Sequence, residues 1–347
     1  MATRLHKTDV PLKLINSLDN YGVTFLTAPT ASGKSVLLID ILSSHPQRAI
    51  MIIPNRLSVK ALHEYTASLY HNRKIGYRIS GESVSSNFDD VTLVTTGYFM
   101  EYISYNQKIL NYPLTLVIDE VHVPDRDTDL IIRVALRHRR FNKNLKVILS
   151  SATLDIKRFI GSEENKDIDI ISGPYKEPNV KMLFEESSIN DIDDIIIKYV
   201  GKDILVMCSG EQEIYNVMET LENSTHRYIK DAKIKCIYSK MDQEEFDFKK
   251  VKGDWVIYIA TNIIESSITI PDLDVVIDCG ERKIACTNSL GSTYLKTVPA
   301  AKSNIKQAIG RAGRGTVTGI GIVLMSKQRY DNLKDFPEHE VIISTIN

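Results

Sequence analysis

One stretch constrains this chain more than any other: Val23–Leu38, which reads VTFLTAPTASGKSVLL. An apolar, β-branched run from Val23 to Leu26 enters Ala28-Pro29-Thr30-Ala31-Ser32-Gly33-Lys34-Ser35, and a second, mostly apolar run, Val36 to Ile41, leaves it at once. The order is strand, small-residue loop, helix. Small residues let the backbone turn tightly enough to aim several N–H groups at one anion. A helix starting near Gly33 adds the positive end of its dipole. Lys34 is spaced to reach the β- and γ-phosphates of a nucleotide, and the Ser35 hydroxyl to hold Mg²⁺. The first loop position, usually glycine in this pattern, is Ala28. Taken alone, the stretch is either a phosphate site or an ordinary strand–turn–helix that contains Gly-Lys-Ser.

The 347 residues are enough for two α/β domains of ordinary size. A 43% hydrophobic and 25% charged composition is that of a globular chain and excludes a disordered one. No apolar run approaches the ~20 residues of a membrane span, and residues 1–14 lack the apolar core of a secretory signal. An intracellular location, cytoplasmic or nuclear, is expected. The net charge of −1 does not advertise a nucleic-acid partner, although a basic cleft is compatible with a compensating surface. Cys208, Cys236, Cys279 and Cys286 sit on or beside strand-like runs and form no CxxC, which reads as reduced thiols without zinc or disulfides.

Along the chain, residues 1–20 predict a short helix, with Leu12, Leu14, Ile15 and Leu18 near helical spacing. Short apolar runs then recur at Ala49–Ile53, Val91–Val94, Leu114–Ile118, Val147–Leu149 and Ile168–Ile171, separated by helical patterns. That alternation argues a parallel sheet covered on both faces. Ser172-Gly173-Pro174-Tyr175-Lys176-Glu177-Pro178 interrupts it and reads as a linker, giving domains at 1–174 and 175–347. The alternation restarts at Ile204–Met207, Ile234–Ile237, Trp255–Ile259, Val275–Ile277 and Ile320–Leu324, with no second phosphate loop. Arg133–Arg140, with Lys143 and Lys146, is the strongest basic run; it reads as a solvated helix face, with a nucleic-acid surface as the other option.

The run Leu114–Ile118 ends in Asp119-Glu120-Val121-His122. In open α/β sheets ligands lie at the carboxyl ends of strands, so Asp119 is placed to hold Mg²⁺. Glu120 is placed to share the metal and to orient or deprotonate the water that attacks a γ-phosphate. An acidic helix N-cap is the alternative for a lone Asp-Glu; after a strand and downstream of a phosphate loop, the two motifs together specify a nucleoside triphosphatase.

Asp119–His122 following APTASGKS resembles the superfamily 2 helicases of the DEAH and flavivirus-type (DExH) group, whose Asp-Glu-x-His motif includes His122. Further stretches carry the likeness. Ser150-Ser151-Ala152-Thr153 resembles the group's Ser-Ala-Thr motif, with Ser151, Ala152 and Thr153 in a coupling role; read alone it is a turn or an N-cap. Pro54-Asn55-Arg56 and Thr95-Thr96-Gly97 match the places of strand-binding loops, and short loops with hydroxyls, an Arg and free N–H groups suit contacts to phosphates. Ser209-Gly210 opens a stretch like the group's Gly-Gln-Glu-Glu-Ile, here Gly-Glu-Gln-Glu-Ile. Ile259–Pro271 resembles its Ala-Thr-Asn-Ile-x-Glu-x-Ser-x-Thr-Ile segment, which makes Thr261, Asn262 and Thr269 further backbone-contacting groups. Val275–Ala285 with Thr293–Val298 suggests a β-hairpin, and in this family such a hairpin acts as a wedge or register device.

Gln307-Ala308-Ile309-Gly310-Arg311-Ala312-Gly313-Arg314 completes the set. Arg311 and Arg314, three apart, would share a helix face, and fixed multi-donor guanidiniums suit charge building on a γ-phosphate. Gln307, a turn earlier, is spaced to position the attacking water.

The resemblance implies an α/β fold of two tandem RecA-like domains, each a mostly parallel sheet covered by helices. It implies an ATP-dependent RNA helicase that uses Mg²⁺ with ATP or another NTP and moves 3′-to-5′ on single-stranded RNA. Single-stranded DNA is the second choice of partner. A duplex-DNA translocase and an RNA-binding scaffold with a residual motor are the alternatives. With phosphate loop and acids in the first half and arginines in the second, hydrolysis would require a closed cleft. The loop spelling suggests a viral or divergent member. The chain ends where further domains of the family would begin, so it is expected to be a minimal core or part of a longer protein, with room for further domains or accessory proteins.

Overall fold

The computed structural model describes residues 5–29, 32–85, 89–122, 125–152, 159, 167–174, 179–238, 255–261, 270, 273–287, 293–312 and 318–337. The chain divides into two compact units, the first running to residue 176 and the second from 177 to 338.

The first unit holds eight described strands: β1 (Val23–Thr27), β2 (Ala49–Ile53), β3 (Ile75–Ile79), β4 (Glu82–Val84), β5 (Val91–Thr95), β6 (Leu114–Ile118), β7 (Leu145–Ser151) and β8 (Ile168–Ser172). They form one sheet in the order β4-β3-β5-β2-β6-β7-β1-β8, parallel throughout except for the β3–β4 hairpin. Five described α-helices cover it: α1 (Val10–Asn20), α2 (Lys34–Leu42), α3 (Arg56–Leu69), α4 (Thr96–Tyr105) and α5 (Arg126–Phe141).

The period-two alternation of each strand sorts its side chains between two cores. Leu26, Met51, Leu93, Val117 and Ile148 pack with α1, α2 and α3. Phe25, Ile52, Val94, Leu116, Ile118 and Leu149 pack with α4 and α5. Both faces are therefore buried, which is why β6 is apolar at every position but Thr115.

The second unit repeats the plan. Strands β9 (Val180–Phe184), β10 (Ile204–Met207), β11 (Lys233–Ile237), β12 (Val256–Ala260), β13 (Val275–Asp278) and β16 (Gly319–Val323) make an all-parallel sheet ordered β11-β12-β10-β13-β16-β9. Helices α6 (Ile192–Ile196) and α7 (Glu211–Glu222) cover one face; α8 (Lys302–Ile309) and α9 (Lys327–Asp331) cover the other. Strands β14 (Glu281–Thr287) and β15 (Thr293–Pro299) form a separate antiparallel hairpin, Glu281 opposite Pro299 and Thr287 opposite Thr293.

Four expectations need correction. In α1 the inward stripe is Val10, Leu14, Ser17 and Leu18, whereas Leu12 and Ile15 are 73% and 45% exposed, because their positions fall off the face that meets α2 and the sheet. The basic run on α5 is not uniformly solvated: Arg139 is buried and its Nη2 lies 2.8 Å from an Asp167 carboxylate oxygen. The hairpin is not continuous with Val275–Ile277, which belongs to the sheet; the chain turns at Gly280, whose φ of 75° suits glycine, before β14 begins. Strands β3, β4 and β9 were not anticipated. Glu82 and Lys181 mask the periodicity of β4 and β9, edge strands that admit charge, and Arg78 masks that of β3, the strand beside the edge, where its Nε donates to Ser85 Oγ at 3.1 Å. None of the four cysteines is in a disulfide, Cys208 being buried and the others partly so; burial pushes the Cys236 thiol to about 11 and the Cys279 thiol to about 12. No described helix is long and apolar enough to cross a membrane.

Candidate active site

Because β5, β2, β6, β7 and β1 are adjacent and parallel, their carboxyl ends share one edge of the first sheet. Backbone bonds just beyond the strands knit that edge together. Ala28 N–H donates to Ser151 O at 3.2 Å, Val121 N–H to Ser150 O at 3.1 Å, and Asp119 N–H to Ile52 O at 2.9 Å. The phosphate loop, the acidic segment and the Ser-Ala-Thr segment, separated along the chain, are thereby neighbours.

Helix α2 starts at Lys34, capped by Gly33 with φ 90°, a left-handed conformation that glycine adopts without a Cβ penalty. That turn folds the Lys34 side chain back across the loop. It is 4% exposed, and its Nζ donates to Ala28 O at 2.8 Å and Pro29 O at 3.3 Å. One residue on, Ser35 Oγ donates to Asp119 Oδ2 at 2.6 Å. Asp119 is 3% exposed. Burial first and the neighbouring Glu120 charge second push its carboxyl pKa up, while Lys34 and the Ser35 hydroxyl pull it down.

Glu120 is the one described non-glycine residue with positive φ, 54°. A left-handed L-residue costs roughly 1–2 kcal/mol, which the surroundings must hold in place. Its N–H donates to Asp119 Oδ1 at 3.0 Å. Its carboxylate meets His122, whose buried Nδ1 lies 3.2 Å from both Glu120 Oε2 and Ser151 Oγ. A serine hydroxyl at the end of β7 thus reaches the second carboxylate through an imidazole. Ala152 follows immediately.

The proposed strand-contact loops of the first unit lie on the same edge. Asn55 caps α3, its Oδ1 accepting from Ser58 N–H at 2.8 Å, with Pro54 before it and an exposed Arg56 as first helical residue. Thr95 and Thr96 are buried, Thr95 Oγ1 accepting from Tyr98 N–H at 3.4 Å as the cap of α4; Gly97 is exposed on the first turn. The Thr95 hydroxyl therefore serves the helix start and the Thr96 hydroxyl lies 3.5 Å from Thr128 Oγ1, so the outward feature is the glycine backbone.

In the second unit, Ser209 and Gly210 join β10 to α7, and Thr261 follows β12, its N–H donating to Ile237 O at 3.3 Å. Ser209 N–H is taken by Glu213 Oε2 at 2.7 Å, so it is not available as a free donor. Gln307 is a buried residue of α8. Helix α8 ends at Ile309 and Arg311 lies in the following turn, its N–H donating to Ala308 O at 3.1 Å. The expected shared helix face of the arginines is not formed at Arg311, since Gly310 ends the helix first. Thr30, Ala31, Thr153, Asn262, Thr269 and Arg314 lie outside the described residues. One neighbour that the sequence reading did not single out is Lys283 of β14, whose side chain lies against Gly210; the alternation of β14 was the available signal.

Comparison with known proteins agrees with this layout. A family model described as DEAD/DEAH box helicase matches residues 8–159, and one described as helicase conserved C-terminal domain matches residues 187–316. The ATP-dependent RNA helicase HrpA of Borreliella burgdorferi is 29% identical over 87% of this chain and 39% of its own length. The ATP-dependent RNA helicase HrpB of Escherichia coli is 25% identical over 96% of this chain and 43% of its own. A protein of Acanthamoeba polyphaga mimivirus is 26% identical over 95% of this chain and 51% of its own. The crystal structure of the E. coli DExH-box NTPase HrpB superposes with a TM-score of 0.82 at 22% identity, covering 98% of this chain and 44% of that one, and shows the shared fold of two tandem RecA-like domains. The chain spans about half or less of the length of these relatives. The matches support the DEAH side of the sequence resemblance and add nothing to its flavivirus-type or viral side.

Proposed function

We propose that this chain, which carries the two tandem domains of the superfamily 2 DExH helicases, is an ATP-dependent RNA helicase motor. The observation that carries the reading is the Ser35–Asp119 pair. A hydroxyl and a carboxylate lie 2.6 Å apart beside the buried Lys34, at the start of a helix and on the carboxyl edge of a parallel sheet. These are the hard oxygen donors that Mg²⁺ takes, and a dication offsets the burial and like-charge cost borne by Asp119. Ser35, Asp119 and Glu120 would hold the ion, which when bound with ATP neutralises charge on the phosphoryl group being transferred.

The remaining steps belong to this chain's own groups. Lys34 turns from the loop carbonyls to the β- and γ-phosphates, while N–H groups of residues 28–35 cradle them. Glu120, held by His122, orients the attacking water and accepts its proton as oxygen bonds to the γ-phosphorus and ADP departs. Gln307, Arg311 and Arg314 supply the water-positioning amide and the charge-stabilising guanidiniums from the second domain. Ser151, Ala152 and Thr153 relay the state of the carboxylates. Pro54, Asn55, Arg56, Thr95, Thr96 and Gly97, with Ser209, Gly210, Thr261, Asn262 and Thr269, contact the strand through its phosphates. The relatives' names favour RNA as that strand, and 3′-to-5′ movement follows the family resemblance. ATP and RNA as substrates place the work inside a cell.

The test is steady-state ATPase with poly-U RNA, single-stranded DNA and duplex DNA in parallel, with Lys34→Ala as the control. Stimulation by poly-U, lost in the variant, is expected. Stimulation by duplex DNA alone would overturn the RNA reading in favour of a duplex translocase.

A further inference from the structure

Helix α4 does not close fully on the sheet it covers. Residues of α4 and of β2, β3 and β5 line a cavity of about 220 Å³. Its place follows from the register. Thr92 of β5 is opposite Ile50 of β2 on one side and Gly76 of β3 on the other, and residues paired in this way share a sheet face. A threonine and a glycine leave that row short of side-chain volume. Further along, Val94 and Phe99 are buried, whereas Ile50, Thr92, Tyr98 and Tyr102 are only half-buried around the gap. Protein interiors are packed to crystal density and hold few voids larger than a water molecule, so space of this size needs a reason.

The lining combines two chemistries. Tyr98 and Tyr102, one turn apart on α4, hold their rings nearly parallel, with 10° between planes and 6.3 Å between centroids. Two guanidiniums join them, from Arg48 just before β2 and from Arg78 of β3. Arg78 is held in place by a short chain of bonds: its Nε donates to Ser85 Oγ at 3.1 Å, and Ser85 Oγ donates to Asp89 Oδ2. The Asp89 carboxylate takes the space over Gly76, where a Cβ would collide with it. Neither Arg48 nor Arg78 takes part in an ion pair among the described residues. Two guanidiniums against the single carboxylate of Asp89 leave the lining with excess positive charge. The cavity is also remote from the catalytic edge. Ala49, Thr92 and Leu114 stand at the amino ends of their strands, whereas the phosphate loop and the acids follow the carboxyl ends.

We propose that this cavity binds a small aromatic carboxylate, with its ring against Tyr98, Tyr102 and Thr92 and its acid group on Arg78 and Arg48. An apolar cavity of about 150 Å³ takes a benzene ring. The larger space here accommodates one ring with a short acidic substituent. A guanidinium fork matches a carboxylate with two parallel bonds. With Nε engaged by Ser85, the two Nη groups of Arg78 are the pair left for it. The tyrosines supply the apolar and ring contacts. The proposal does not rest on the RNA reading, and a site at the far end of the strands from the phosphate loop admits its ligand and ATP together.

The test is isothermal titration of the full chain with benzoate, phenylacetate and cinnamate. Each is set beside its uncharged amide, with and without a saturating non-hydrolysable ATP analogue. At least one acid is expected to bind at millimolar concentration or below, and roughly ten- to a hundredfold tighter than its amide, as charge-assisted bonds provide. Arg78→Gln should abolish that preference while the ring still binds weakly. Thr92→Ile, a substitution suited to a strand, fills the gap and should abolish binding of acid and amide alike. Melting curves taken in parallel show that each variant is folded, and the ATP analogue should leave the acid's affinity unchanged. Failure of all three acids to bind, equal affinity for acid and amide, a preference that survives Arg78→Gln, or displacement by the ATP analogue would each overturn this inference. None of these outcomes touches the helicase reading, which the poly-U assay decides.

Discussion

Helix α8, which carries Gln307 and leads into the turn that holds Arg311, is seated on a glycine, and one methyl group there tests the proposed geometry. Gly321 lies mid-strand in β16, opposite Val276 of β13 and Met182 of β9. A Cβ at this position would lie 2.6 Å from Ile309 Cβ, 3.0 Å from its Cγ2 and 3.2 Å from its Cδ1. The nearest atom belongs to a β-branched residue and is bonded to its backbone, so no rotamer change moves it away. Carbon atoms rest at about 3.5–4.0 Å, so Gly321→Ala must lift the end of α8 by about 1 Å. Overpacking of this kind costs about 1–3 kcal/mol. For a domain of this size that lowers the melting temperature by roughly 2–12 °C.

Gln307 and Arg311 flank Ile309 by two residues on either side. If they act on the γ-phosphate, a displacement of ~1 Å lowers kcat by about 10²-fold. ATP affinity should hold, because the phosphate loop belongs to the other unit. The assay is RNA-stimulated ATPase with kcat and KM separated, beside nucleotide titration and thermal melting. A melting loss of the expected size with wild-type kcat would refute the positioning role of α8. An unchanged melting temperature would refute the packing argument.

Three further outcomes are expected. Arg314→Ala should bind ATP with near-normal affinity while turnover falls by about 10³–10⁵, as lost arginine fingers do; unchanged turnover would remove Arg314 from the site. Asp119→Asn should abolish turnover yet melt higher than wild type at neutral pH. A carboxyl whose folded pKa is raised contributes stability below its unfolded pKa and loses it as pH rises through the folded value, so the gap between the two proteins should widen from about pH 4 upward and vanish in acid. A variant that melts lower at neutral pH would show that the bonds from the Ser35 hydroxyl and the Glu120 N–H outweigh the charge burial. Arg282→Ala leaves Asp278 charged and fully buried without its partner, and should cost about 3–5 kcal/mol by denaturant titration. A loss under about 1 kcal/mol would mean the pair is replaceable by solvent.

Much of this molecule was legible because its chemistry is carried by contiguous residues. The strands β2, β6 and β10 begin and end where their apolar runs do, since both sheet faces are buried and apolar side chains fill every position but Thr115. The phosphate loop is legible for a related reason: successive N–H groups of one turn do the binding, so their spacing is written in one segment. Edge strands β4 and β9 were less legible, because one side of each lacks a partner and charged residues are tolerated. The end of α8 before Arg311 was missed because Gly310 stops the helix where only a spacing of three was considered.

By itself, the sequence determined the local elements, the order strand–loop–helix at Val23–Leu38, and the identity of the acids and arginines. Their meeting was decided by tertiary structure. Ser35 and Asp119 are 84 residues apart and touch because β1 is inserted beyond β7 while β6 lies one strand further in, an order set by which faces the crossover helices must bury. Likewise, nothing in Gly210 or Lys283 as letters relates one to the other. The Asp278–Arg282 pair turns the hairpin so that the Lys283 side chain meets Gly210, 73 residues earlier in the chain.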